Sequence, residues 1–295
     1  MPLTHERTFR VRHYECDMYG HVNNTNYLRY MQETAFDASA AAGYDTARYT
    51  VMGRQWLVRE TDIEYLRPLR YGDMVRVKTW VADFRRARSR RMYELWNENT
   101  GELAARAYTD WVFLDAATGR PATIPQEMVA AFFPEGAPDS APPRDRFPDP
   151  PPPPEKPFTI RRRVGWQDID PAGHVNNAMY LSYVEECGTQ ILPVYGWSAE
   201  RMAAADFAII VRQHRIEYLQ QALLNDELEV TTWIFDLKRA MAMRHYAITR
   251  LSDGALLARV RTLYVWVNPA TGQPVRVPEY ILNDFAPNIV SVSSG

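Results

Sequence analysis

Gly20-His21-Val22-Asn23-Asn24 returns as Gly173-His174-Val175-Asn176-Asn177, and the offset of 153 residues from His21 to His174 then holds along most of the chain. Asp17 aligns with Asp170, Tyr27 with Tyr180, Gly43 with Gly196, and Ile63-Glu64-Tyr65-Leu66 with Ile216-Glu217-Tyr218-Leu219. Further on Asp73 meets Asp226, Trp80 meets Trp233, and Thr118-Gly119 meets Thr271-Gly272. A fixed offset with no insertion is the mark of one structural unit written twice. Duplication speaks to fold and symmetry, and is not in itself evidence that any residue acts.

Working outward from the motif, each copy opens with a strand-like stretch, residues 8–14 and 159–166, followed by a polar turn. Tyr27, Met31, Ala35 and Ala38 then recur at helical spacing, matched by Tyr180, Val184, Cys187 or Gly188, and Ile191. The Asn pair before each run suits a helix N-cap, and Gly43 or Gly196 suits its end. This predicts one helix of four to five turns per copy. The first copy next turns strand-like at residues 55–60, 62–66, 74–84, 90–97 and 102–114, with turn residues at Tyr71-Gly72-Asp73 and Asn99-Thr100-Gly101. Strand, long helix, then antiparallel strands is an α+β order. One helix on one sheet leaves an apolar face too small to seal alone, so the two units are expected to pack as a pseudo-dimer.

Residues 134–157 hold eleven of the 21 prolines, including Pro150 to Pro154 in an unbroken run, a composition that favours extended polyproline II over helix or sheet. Fully extended, such a segment could reach roughly 70 Å. The domain expectation is therefore 1–133, a proline-rich linker at 134–157, and 158–295. With 46% apolar and 24% charged residues the composition is that of a globular protein. The net charge of −2 provides no basic field for nucleic acid. No stretch approaches the roughly 18 apolar residues of a membrane span. Two non-equivalent cysteines, Cys16 and Cys187, and the lack of a secretory h-region near Met1 point to a reducing, cytoplasmic setting.

Around the motif the first copy reads Tyr14-Glu15-Cys16-Asp17-Met18-Tyr19-Gly20-His21-Val22-Asn23-Asn24-Thr25-Asn26-Tyr27, and the second Gln167-Asp168-Ile169-Asp170-Pro171-Ala172-Gly173-His174-Val175-Asn176-Asn177-Ala178-Met179-Tyr180. These stretches resemble the hotdog acyl thioesterases, in particular the 4-hydroxybenzoyl-CoA thioesterase branch with its long-chain acyl-CoA members, whose signature is Asp-x-x-Gly/Gln-His-Val-Asn-Asn-x-x-Tyr. The resemblance implies two hotdog domains in tandem, each an antiparallel sheet wrapped around one long helix. It also implies hydrolysis of an acyl-CoA or acyl-ACP thioester, with Asp17 and Asp170 as general base or nucleophile and His21 and His174 beside them. Gly20, Asn23, Asn24 and Tyr27, with Gly173, Asn176, Asn177 and Tyr180, would line the substrate. Free N–H groups at a helix start can hold an oxyanion, and Asp-x-x-Gly is also ordinary turn chemistry. Plant acyl-ACP thioesterases share the His-Val-Asn-Asn stretch, but their Asn two residues before the His is Tyr19 or Ala172 here. Their acidic strand residue falls at about Pro68 and Gln221.

No cofactor is expected. His13, Cys16, Asp17 and His21 lie close together, but the second copy has Trp166, Ile169, Asp170 and His174 there, too few ligands for a metal. The chain lacks a Gly-x-Ser-x-Gly elbow and a Walker loop. Arg85, Arg86, Arg88, Arg90 and Arg91 form a basic cluster, echoed by Lys238, Arg239 and Arg244; Arg86 and Arg88 are candidates for substrate phosphate, and a solvated hairpin is the plain reading. A non-catalytic acyl-thioester binding protein and a hotdog dehydratase or hydratase are the alternatives. Available strand edges also allow a homo-oligomer.

Overall fold

Asn24–Ala41 forms the long helix of the first copy, α1, because Tyr27, Met31, Ala35 and Ala38 make one apolar stripe, each at most 5% exposed. The computed structural model describes residues 1–138 and 143–290. The chain divides into two units, Met1–Arg146 and Phe147–Gly295. In the first, β1 (Thr4–Arg10) and a short helical turn at His13–Glu15 precede α1, and α2 (Thr46–Met52) follows it. Then come β2 (Arg54–Tyr65), β3 (Met74–Arg85), β4 (Arg88–Asn97), β5 (Glu102–Asp115) and α3 (Gln126–Phe132). The sheet order is β1-β3-β4-β5-β2, with antiparallel neighbours, and α1 lies against β1 and β3.

The second unit repeats this plan. β6 (Phe158–Arg163), α4 (Met179–Val194) and α5 (Ala199–Ala203) lead to β7 (Ala208–Tyr218), β8 (Glu227–Lys238), β9 (Met241–Arg250), β10 (Leu256–Val267) and α6 (Glu279–Phe285). Its order, β6-β8-β9-β10-β7, is that of the first unit. The register shifts between Val81 and Asp83 in β3 and between Ile234 and Asp236 in β8 at equivalent points. A bulge bends its strand, so both copies curl the sheet around their helix at the same place. This is the double hotdog arrangement.

Several expectations need correction. The first strands begin and end earlier, at Thr4–Arg10 and Phe158–Arg163, because a helical turn takes over at His13–Glu15 and at Trp166–Asp168. Residues 55–60 and 62–66 are one strand with a bulge at Arg59 rather than two. Each unit also has two further short helices beside the long one. The proline-rich segment, whose residues 139–142 lie outside the described residues, has no regular structure from 143 to 157 except a bend. It is nevertheless anchored: Arg144 pairs with Asp83, Phe147 is 2% exposed beside Arg215 and Arg259, and Asp149 pairs with Arg259 at 2.8 Å. Among the described residues no helix is long and apolar enough to cross a membrane.

Helix α4 touches its sheet more closely than α1 can. A Cβ on Gly188 would lie 2.8 Å from Tyr246 Oη and 3.2 Å from Tyr264 Oη, two hydroxyls that are hydrogen-bonded to each other at 2.8 Å. The first unit has Ala35 in place of Gly188 and Trp111 in place of Tyr264. Gly188→Ala is therefore expected to lower stability by about 1–3 kcal/mol through overpacking, measured by chemical denaturation. Burial also pushes the imidazoles of His214 and His245 down to about 3, so both are neutral in the folded chain. Unfolded His titrates near 6.5, so the unfolded chain gains protons that the native chain refuses. Stability is then full above about pH 6.5 and is lost as the pH falls toward 3. The unfolding midpoint should drop between about pH 7.5 and 5.5, and His245→Phe should shrink that drop.

Candidate active site

The turn after β1 is closed by its own aspartate. In the first unit the Asp17 N–H donates to His21 O at 2.8 Å, and the N–H groups of Tyr19 and His21 donate to Asp17 Oδ1 at 2.8 and 3.2 Å. In the second unit the Asp170 N–H donates to His174 O at 3.0 Å and the Ala172 N–H to Asp170 Oδ1 at 2.9 Å. Gly20 and Gly173 sit at φ +73° and +80°, a conformation that glycine adopts without a Cβ penalty, and each donates its N–H to the aspartate carbonyl. Their role is to turn the chain.

The helix starts follow directly. Asn23 Oδ1 accepts the Thr25 N–H at 3.0 Å, the N-cap bond expected of Asn, and Asn176 Oδ1 makes the matching bond to the Ala178 N–H at 3.0 Å in the turn before α4, whose own N-cap, Ala178, has no side-chain cap. Asn24 is the first residue of α1 rather than a cap. The second helix starts at Met179, two residues beyond the equivalent point, and opens with tight bonds from Met179 N–H to Asn176 O and from Leu181 N–H to Ala178 O. In the second unit Asn176 also reaches the aspartate: its Nδ2 donates to Asp170 Oδ2 at 3.3 Å. Among the described residues the backbone N–H groups of Asn24 and Asn177 have no hydrogen-bond partner. The Asn24 N–H is a free donor at the positive end of α1, and the Asn177 N–H is a free donor in the turn that leads into α4.

The histidines flank this arrangement. His174 Nδ1 lies 3.9 Å from Asp170 Oδ1 and 3.2 Å from Val175 O, while its buried Nε2 has no partner. Burial, and then Arg70, push the His21 imidazole below its ordinary value, with Asp17 pulling the other way. The His21 ring is thus biased toward its neutral, hydrogen-bonding form.

Two expected substrate contacts have framework positions instead. Tyr27 and Tyr180 are 2% and 3% exposed, and their hydroxyls accept the backbone N–H groups of Leu69 and Ala222 at 3.3 and 3.0 Å. Burial raises both phenols, Tyr180 to about 12, so they stay neutral pins between the helix and the loop leading to the next strand. The arginine cluster is also split. Arg90 holds Asp110 with two bonds of 2.8 and 2.7 Å, Arg91 is buried, and Arg85 faces Asp83 at 3.4 Å. Among the described residues only Arg86 and Arg88 of the five remain exposed without an ion pair, at the β3–β4 hairpin. His21 bridges Arg70, just before the other end of β3, so this hairpin lies roughly 40 Å along the strand from Asp17. The first unit does not bring them together.

Sequence reasoning missed a second pair of acids beneath the turn. Glu15 and Asp168, equivalent in the repeat, are 5% and 1% exposed. Glu15 Oε2 accepts the Arg12 N–H at 2.7 Å and the Tyr30 hydroxyl at 2.6 Å; Asp168 Oδ2 accepts the Gly165 N–H at 2.9 Å. Their carbonyls accept the N–H groups of Asn23 and Asn176, both at 2.9 Å, which fixes where the two asparagines stand. The signal available was an acid kept at this place in both copies. Among the described residues no group of three or more His, Cys, Asp and Glu could hold a metal ion.

With this geometry in hand, the chain matches the family model described as the thioesterase-like superfamily over residues 11–132 and again over 164–285. It is 25% identical over 270 residues to the chloroplastic acyl-[acyl-carrier-protein] hydrolase FATB2 of Cuphea viscosissima, covering 88% of this chain and 62% of that protein. It is 29% identical over 123 residues to the acyl-CoA thioester hydrolase YbgC of Escherichia coli O6:H1, covering 42% of this chain and 91% of the relative. The solved 12:0-ACP thioesterase of Umbellularia californica shares the fold with a TM-score of 0.68 at 20% identity, over 89% of this chain and 94% of that one. The chain thus spans under two thirds of the plant hydrolase and nearly the whole of YbgC with one copy.

The Asn176 bond gives this site its test. Asn176→Ala is expected to cost about 1 kcal/mol of stability. Asn177→Ala should cost close to nothing, because its side chain has no hydrogen bond among the described residues. Chemical denaturation of the two variants side by side measures the difference.

Proposed function

We propose, from the premise that this chain belongs to the thioesterase-like superfamily, that it hydrolyses acyl thioesters with Asp170 and Asp17 as general bases. The observation that supports this reading is the link from Asp170 Oδ2 through Asn176 to the tight turn that leads into α4, beside the free N–H of Asn177. A base and an oxyanion donor thereby share one rigid support. Water attacks the thioester carbonyl as the carboxylate takes its proton, and the free N–H holds the oxyanion. Collapse of the intermediate breaks the carbon–sulfur bond, and the proton leaves with the thiol, giving free acid and thiol. His174, near the aspartate and carrying an unpaired ring nitrogen, is suited to pass that proton to sulfur.

Acyl-CoA and acyl-ACP are the substrate classes, taken from what the relatives are named for. A reducing, cytoplasmic setting suits two free thiols, Cys16 and Cys187. Asp17→Asn combined with Asp170→Asn keeps an oxygen acceptor for each turn while removing the charge. That double variant is expected to stay folded and to lose about 10²- to 10⁴-fold in thiol release from a panel of acyl-CoA and acyl-ACP substrates. Unchanged turnover would remove both aspartates from the mechanism.

A further inference from the structure

The two units carry different side chains on the face of the sheet turned away from the long helix. Tyr246 faces α4, so strand alternation points its neighbour His245 to the opposite face. In the strand register His245 of β9 stands beside Trp233 of β8 and Arg261 of β10, and Arg261 stands beside Arg215 of β7. Trp233 and His245 are 5% and 2% exposed with ring centroids 4.6 Å apart, and the Arg261 guanidinium lies 5.2 Å from the Phe235 ring centre. The proline-rich segment bounds this row at both ends: the Arg215 guanidinium lies 5.3 Å from the Phe147 ring centre, and Phe158 pairs with Thr232.

Three nitrogens in this row are buried and have no hydrogen-bond partner among the described residues: Trp233 Nε1, His245 Nδ1 and Arg261 Nε. Buried polar side-chain atoms are normally hydrogen-bonded, and three exceptions on adjacent strands call for a common reason. Among the described residues Arg261 forms no ion pair or hydrogen bond through any of its nitrogens, and only its Nε is fully buried, so the ends of the guanidinium reach solvent. Burial, and then Arg215, lower its pKa, with Asp236 opposing them. The acids nearby are engaged elsewhere, Asp236 with Lys238 at 3.3 Å, and Glu217 and Asp149 with Arg259 at 2.6 and 2.8 Å. The first unit has Met92 in place of His245, Tyr108 in place of Arg261 and Asp62 in place of Arg215, and there the Tyr108 hydroxyl donates to Glu60 Oε1 at 2.7 Å.

We propose that this row is a binding site for a phosphate group, free or as a monoester, held by Arg261 and His245 beside Trp233. A guanidinium grips two phosphate oxygens at once. The imidazole, which burial keeps neutral, and the indole each add one N–H, so three side chains on adjacent strands can share one acceptor. A phosphate has oxygens enough for all three. A carboxylate has only two, which the guanidinium alone would engage, and a neutral ligand would leave the cation uncompensated. The site does not depend on the hydrolase reading, since it lies on the face opposite the helix and uses neither aspartate.

Titration calorimetry on the full chain tests it, in phosphate-free buffer at constant ionic strength, with inorganic phosphate, adenosine 5′-monophosphate and acetate as probes. Phosphate or the monoester should bind at least about tenfold more tightly than acetate, and the tighter of the two identifies the source of the group. Arg261→Met should weaken that binding by at least about tenfold. His245→Met with Arg261→Tyr, which installs the residues of the first unit, should abolish it, whereas Arg88→Met, which removes an exposed guanidinium from the β3–β4 hairpin, should leave it unchanged. The indole N–H resonance that is missing from Trp233→Phe should shift when phosphate is added to the unaltered chain, a reading that stands even if the Arg261 variants fail to fold. Binding of neither phosphate probe, equal binding of acetate, or an equal loss in Arg88→Met would overturn the proposal, as would a Trp233 resonance that does not move.

Discussion

An asparagine that closes the turn leading into a helix and holds an aspartate at the same time is the constraint on which the site depends. Asn176 spends its carbonyl oxygen on the Ala178 N–H and its amide nitrogen on Asp170. The first bond closes the turn that leads into the helix, and the second fixes the carboxylate relative to that turn. Beneath both, the Asp168 carbonyl holds the Asn176 N–H, and the Asp168 carboxylate is itself gripped by the Gly165 N–H. A carboxylate on a free loop would have to be ordered at every encounter with a substrate. Here the ordering is built into the fold, which is how a site is pre-organised.

The duplication lets the two copies keep this frame while differing in what they enclose. Both have the bulge that curls the sheet, the turn closed by aspartate, and the tyrosine that pins helix to loop. The two copies differ under the helix. Ala35 and Trp111 in the first unit correspond to Gly188 and Tyr264 in the second, and the stacked Trp56 and Phe84 give way to aliphatic residues. Close packing makes such exchanges interdependent: the glycine admits the hydroxyl pair, and the smaller strand residues leave a void that the first unit fills with rings.

Much of this was legible in the sequence, and what was not has physical reasons. The repeat, the long helices and the aspartate turns were readable because an offset of 153 aligns glycine, asparagine and aspartate at places where backbone geometry demands them. Helices of five to seven residues, such as α2 and α5, are too short to show a periodicity, although Asp45 and Ser198 mark their caps. The later start of α4 depends on two tight bonds that no residue type announces. Tyr27 looked like a ligand contact because motif position says nothing of which way a ring points. Glu15 and Asp168 were passed over because a buried acid and an exposed one read alike until their partners are known. The arginine cluster looked like one patch, yet strand alternation sends Arg91 inward and leaves Arg88 outside.

The account rests on a water molecule, and not the aspartate, attacking the thioester carbon beside the helix start. Single-turnover hydrolysis in ¹⁸O-labelled water, followed by mass analysis of the released acid and of the peptides containing Asp17 and Asp170, tests this most directly. One ¹⁸O in the acid with both peptides unshifted is the predicted result. Label in either aspartate would show a covalent acyl-enzyme, and no thiol release from any acyl-CoA or acyl-ACP would contradict the account altogether.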